Sequence, residues 1–154
     1  MSDKPGLRLE RFLPYRLSIL SQTTSADLHR RYFGPSHLTI PQWRVIAVLG
    51  RFAPLSASDI CRRTVMDKVT VSRAVAGLRR RRLIEQATDG NDRRRSQLRL
   101  TPSGQAMHDL IVPLALGYEA ELLTQLSPAE RKALDGLLDR LLEAARGLAA
   151  RPDP

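Results

Sequence analysis

Apolar residues recur along most of this chain three and four positions apart, the period of a helix with one buried face. The pattern is sharpest over residues 67–78. There Val71, Ala74, Val75 and Leu78 form one stripe, while Lys68, Thr70, Ser72, Arg73 and, just beyond, Arg79 fall off it. Asp67 stands where its carboxylate can accept the free amides of a first turn and suit the positive helix end. The spacing therefore predicts a capped helix, apolar behind and polar-basic in front. Upstream, Leu13, Leu17, Leu20, Thr24, Leu28 and Tyr32 predict a long helix over 13–33. It begins near Pro14 and is closed by Gly34. Thr39-Ile40-Pro41-Gln42 and Ser56-Ala57-Ser58-Asp59 have the form of capping boxes. The first opens a helix carrying Trp43, Val45, Ile46, Val48 and Leu49 to about 50–52, and the second a short helix to about Thr64. With Val65-Met66 as the turn, this short helix and the one at Asp67 make a helix-turn-helix.

Beyond the four arginines 79–82 the period changes from 3.6 to 2. Ile84, Gln86 and Thr88 alternate with Glu85 and Ala87, and residues 97–101 alternate again. Between them lies Asp89-Gly90-Asn91-Asp92-Arg93-Arg94-Arg95-Ser96, a hairpin tip of turn formers and arginines. A hairpin placed directly after a helix-turn-helix is a wing. Thr101-Pro102 puts proline at the first position of another helix, which runs on to Leu126 with Pro113 expected to kink it. Ser127-Pro128-Ala129-Glu130 caps a last helix, whose Leu134, Leu137, Leu138, Leu141, Leu142 and Leu148 form a broad stripe without an evident partner in so small a chain. The fold class expected is mainly α (α+β), with a winged helix-turn-helix part over 39–101 and helices on either side.

Charge changes the picture more than composition does. The net charge is +9, and residues 62–99 alone hold twelve Lys/Arg against four Asp/Glu, so nearly the whole excess lies in a quarter of the chain. A basic segment between near-neutral ends implies an anionic partner on one surface, most often nucleic acid. Aromatic content of 5% argues against a stacking platform for single strands. No apolar run reaches the ~18 residues of a membrane span, and the polar start lacks a secretory segment, so the expected place is the cytoplasm. One cysteine, Cys61, excludes an internal disulfide or thiolate metal cluster and reads as a small buried apolar residue. His29, His37 and His108 lack partners at metal spacing, and no nucleophile elbow or phosphate loop occurs; neither cofactor nor enzyme activity is expected. Lys68, Thr70, Ser72 and Arg73 are the candidate groove contacts, since the first turns of a recognition helix face the bases. Arg73 is the candidate for a bidentate guanine contact. Arg79 to Arg82 are candidate phosphate anchors in part and solvated in part, with Arg79 the one assigned to phosphate. Two rival readings of the same residues are a sequence-indifferent architectural DNA binder and a helical interaction module with an acidic partner.

These residues together resemble the MarR-type winged-helix regulators of bacteria. The resemblance runs from about Leu13 to Leu148. It is carried by Leu38-Thr39-Ile40-Pro41-Gln42-Trp43-Arg44-Val45, by Asp67-Lys68-Val69-Thr70-Val71-Ser72-Arg73, and by Asp92-Arg93-Arg94 leading to Leu100-Thr101-Pro102-Ser103-Gly104. It implies a homodimer built from helices 13–33 and 102–148, presenting two recognition helices and two wings to a palindromic double-stranded operator. It also implies repression relieved by a small-molecule effector, an aromatic acid or its coenzyme A thioester. By the same resemblance Arg94 enters the minor groove, braced by Asp92, with Arg93 and Arg95 on phosphates. The effector pocket lies between the dimerisation helices and the winged part, where Arg16, His37 and Trp43 are the candidates. Trp43 and Arg16 also have plain readings, as core and as a surface salt bridge. One position departs from the family, which often has glycine before the first wing strand. Arg82 must there either take a left-handed conformation or let the helix run on.

Overall fold

The computed structural model describes residues 6–88 and 96–151. They form α1 (Leu13–Leu28), a π-helical turn (His29–Phe33), α2 (Ile40–Phe52), α3 (Ala57–Thr64) and α4 (Lys68–Arg80). Strands β1 (Ile84–Thr88) and β2 (Ser96–Leu100) follow, then α5 (Pro102–Leu122), a short 3₁₀ turn (Leu123–Gln125) and α6 (Pro128–Ala149). The chain divides after Ala115 into two compact units.

The core of the first unit is apolar throughout. Phe33, Leu38, Val45, Ile46, Leu49, Ile60, Val71, Leu78, Leu98 and Ile111 pack in one cluster with Leu55, Ala74, Leu83 and Ile84. Helices α2, α3 and α4 meet there with their expected faces inward. Their starts are held as the capping pattern requires. Gln42 N donates to Thr39 Oγ1 (3.3 Å) while Thr39 N donates to Gln42 Oε1 (3.0 Å). Ser56 and Asp59 repeat the exchange at 3.1 Å in both directions, and Ser127 and Glu130 do so in the second unit at 2.8 and 3.3 Å. The Ser56 hydroxyl, with Arg62 beside it, holds the Asp59 carboxyl at about 2, well below its ordinary value. The strands pair antiparallel, Ile84 opposite Leu100 and Glu85 opposite Arg99. Leu55, between α2 and α3, adds two backbone bonds to Leu98 (3.1 and 2.8 Å) and ties the wing to the helices.

Several expectations need correction. The long first helix keeps its span, yet its last five residues are a π-turn, with Gly34 N donating to His29 O (2.7 Å). That turn carries one extra residue, so Phe33 rather than Tyr32 is the fully buried side chain. Gly34 is right-handed (φ −56°), not the left-handed closure. His37 takes that role at φ 54°, with Leu38 N bonded to Phe33 O (3.1 Å) and His37 N to Gly34 O (2.9 Å). The fifth helix ends at Leu122, four residues early, with Pro113 inside it. On β1 Ile84 is buried, while Gln86 is exposed beside Glu85, so the alternation over these three residues is weak. Cys61 is half-buried against the core.

Arg82 resolves the departure noted in the sequence. It takes the left-handed conformation (φ 56°), with its N–H on Arg79 O (2.9 Å) and Leu83 N–H on Leu78 O (3.0 Å), so α4 closes as a Schellman motif without glycine. A side chain in this region costs about 1 kcal/mol or more. Arg82→Gly is therefore expected to raise the unfolding free energy by about 1 kcal/mol, read from urea melts. No gain, or a loss, would mean that the closure is unstrained.

Candidate nucleic-acid interface

The front of α4 is built by three local devices. Asp67 accepts from Thr70 N (2.8 Å) and from the Thr70 hydroxyl (2.7 Å), fixing the first turn. These bonds, the hydroxyl's first, hold the Asp67 carboxyl below its ordinary range, so it stays charged at the positive helix end. The rear stripe, Val71, Ala74 and Leu78, is buried, with Val75 half-buried, which leaves the helix one orientation. Gly77 is the third device. A β-carbon there would stand 2.4 Å from Gln42 Nε2, so the missing side chain lets the α2 capping amide lie against α4.

With the rear fixed, Lys68, Ser72, Arg73 and Arg79 are all exposed on the outward side. Arg73 borders a cleft of about 310 Å³ lined by Thr39, Pro41, Gln42, Thr70 and Ala74. Thr70 is half-buried with its hydroxyl proton committed to Asp67, so it strengthens the cap and keeps only acceptor capacity for a partner. A larger groove, about 650 Å³, lies where Ser56, Ser58, Cys61 and Arg62 face Lys68, Ser96 and Gln97. Arg99 pairs with Glu85 across the strands (2.6 Å). The wing-tip candidates Asp92, Arg93, Arg94 and Arg95 lie outside the described residues.

The four arginines 79–82 turn out to have different tasks. Arg79 and Arg80 are exposed. Arg81 is spent on the protein itself: Nη1 donates to His37 O (2.8 Å) and Nη2 to Ser36 O (2.9 Å). It straps the end of α4 to the turn before α2, forty-four positions away, and no local pattern marks it for that. Of the effector candidates, Trp43 stacks on buried Phe33 with ring centroids 4.9 Å apart, which favours its plain reading as core. Arg16 is exposed on α1 and His37 exposed on its turn.

The family model described as MarR family matches residues 37–95, from the turn before α2 to just short of β2. A crystal structure of a probable transcriptional regulator from Pseudomonas aeruginosa superposes with a TM-score of 0.75 at 32% identity, over 87% of this chain and 99% of that one. The chain belongs to the MarR family. Two further relatives agree. The HTH-type transcriptional repressor NicR of Pseudomonas putida is 29% identical over 107 residues, 70% of this chain and 68% of its own. Bordetella bronchiseptica BpsR, whose DNA binding is regulated by 6-hydroxynicotinic acid, has a TM-score of 0.74 at 29% identity, over 84% of this chain and 97% of that one. This MarR protein is thus a DNA-binding transcriptional regulator, and both rival readings of its basic segment fall away. Among the described residues no helix is long and apolar enough to cross a membrane.

Proposed function

We propose that this MarR protein is a dimeric repressor of palindromic operators, released by a small aromatic acid. The observation that carries the reading is the two-sided α4, with Val71, Ala74 and Leu78 buried and Lys68, Ser72 and Arg73 turned to solvent. Residues 39–101 are the DNA-binding part. Lys68, Ser72 and Arg73 meet base edges, Thr70 accepts where it can, and Arg79 holds phosphate. Asp92, Arg93, Arg94 and Arg95 are assigned to the wing tip by family likeness. Helices 13–33 and 102–148 join two copies. No residue of α1 or α6 is buried, while Leu13, Tyr15, Leu17, Ile19 and Leu20 on the one, and Leu137, Leu138, Leu141, Leu142 and Leu148 on the other, are exposed. Exposed apolar residues in such number call for a partner surface. The dimer spaces two recognition helices roughly 34 Å apart, one turn of duplex. We place the protein in the cytoplasm with the chromosome, acting by binding rather than by catalysis.

The effector follows from BpsR by analogy. A carboxylate on an aromatic ring, free or as its thioester, suits a site offering Arg16, His37 and the half-buried ring of Trp43. Such a ligand changes operator affinity only by its differential affinity for the two dimer shapes. With 6-hydroxynicotinic acid, nicotinic acid and benzoic acids as probes, one compound is expected to raise the melting temperature and weaken operator binding about tenfold or more. Arg16→Ala is expected to lose that response while still binding duplex. A panel without any effect on melting or affinity would overturn the effector reading and leave the DNA reading standing.

A further inference from the structure

The centre of the outward face of α4 is apolar. At about 100° per residue, the position diametrically opposite buried Leu78 is nine residues earlier, at Val69. Ser72 and Arg73 follow Val69 by three and four positions, Ala76 follows those two by four and three, and all are exposed. Val69 has 59% of its surface in solvent. It is flanked by Lys68 on its own turn and by Ser72 and Arg73 on the next. Single exposed valines are common on protein surfaces. This one occupies the middle of a face on which every immediate neighbour is polar, and a β-branched residue is a poor choice for a solvated helix position. The turn before it repeats the oddity: Val65 is 90% exposed and held at φ 54°. Val65 gains almost no packing in the free protein, and Val69 keeps more than half of its surface open.

We propose that Val69 is a specificity-determining residue that packs on the 5-methyl group of a thymine in the major groove. This rests on the reading of α4 as the groove helix. Among the four base pairs only the thymine edge offers an apolar group there, and the others present donors or acceptors. An isopropyl group set against the cytosine amino group would strip its water and return no hydrogen bond. Val69 therefore favours thymine twice, by covering its methyl and by refusing the polar alternatives. Ser72 and Arg73, one turn further along, read the neighbouring pairs by hydrogen bonds. Covering one methyl changes affinity about fourfold.

The test removes that methyl without touching base pairing. Duplexes retained from a random library by the full chain supply the half-site, and each thymine in it is replaced in turn by deoxyuridine. For the native protein one position is expected to lose about fourfold in affinity on replacement. In Val69→Ala and Val69→Ser, with melting unchanged, the same replacement is expected to lose nothing. A uracil penalty absent at every thymine, or equally large in both variants, overturns the proposal while the groove reading stands. A library from which the chain retains no duplex overturns both.

Discussion

Gly104→Ala is expected to lose the native winged part. A β-carbon on this residue would stand 1.8 Å from Leu83 O and 2.9 Å from Leu83 C, both of them backbone. A clashing side chain can swing away, but this carbonyl is engaged. It accepts the Thr101 N–H (3.1 Å), while the Thr101 hydroxyl donates to Arg82 O (2.7 Å) and accepts from Gly104 N (3.1 Å). The end of α4, the start of the wing and the first turn of α5 meet at this one point. Moving the carbonyl breaks its bond with the Thr101 N–H and pulls on Leu83 and Ile84, both buried in the core. Overpacking alone costs about 1–3 kcal/mol where side chains can yield; with backbone in the way the loss should exceed about 3 kcal/mol, a large share of typical stability. Urea melts followed by circular dichroism give the number. Gly136→Ala is the matched control. Nothing lies within 4 Å of its β-carbon, and the better helix former should there add up to about 1 kcal/mol. A Gly104→Ala protein within about 1 kcal/mol of native would mean that α5 can shift along Leu83 without loss.

Arg73→Ala is expected to cut operator discrimination sharply and leave the fold intact. Arg73 is exposed at the rim of the Thr39–Gln42 cleft, so its removal takes nothing from the core. A bidentate arginine–guanine contact carries about 1–3 kcal/mol of discrimination, and a dimer loses two of them, about thirtyfold or more in affinity. Kd for an operator and for an unrelated duplex, measured at one salt concentration, separates the roles. If Arg73 reads a base, the operator loses far more than the unrelated duplex, and Arg73→Lys restores little because its ammonium lacks the fork. Equal losses on both duplexes would make Arg73 a phosphate contact.

The elements were legible where their determinants are local. Thr39 with Gln42, Ser56 with Asp59, Asp67 alone and Ser127 with Glu130 each announce a helix start, because a cap is decided within four residues. The rear stripe of α4 was legible for the same reason. Arg82 was a partial case: the sequence marks the absence of glycine, and the structure supplies the left-handed residue that replaces it. Arg81, Gly77 and Gly104 were not legible. Each owes its task to a segment distant in sequence, the 36–37 turn, the Gln42 amide or the Leu83 carbonyl. The π-turn at 29–33 was hidden too, because one extra residue shifts the register without disturbing the helical spacing around it. On the interface, polarity drew attention to Thr70, whose hydroxyl serves the cap, and away from Val69, which faces out.

The strap made by Arg81 has a mechanical consequence. A loop normally absorbs small displacements at its ends, since its own torsions are soft. Here two carbonyls of the bend that carries His37 are gripped by one planar group rooted at the far end of the reading helix. Bend and helix end are thereby coupled, so a displacement of either is resisted by two hydrogen bonds to the other.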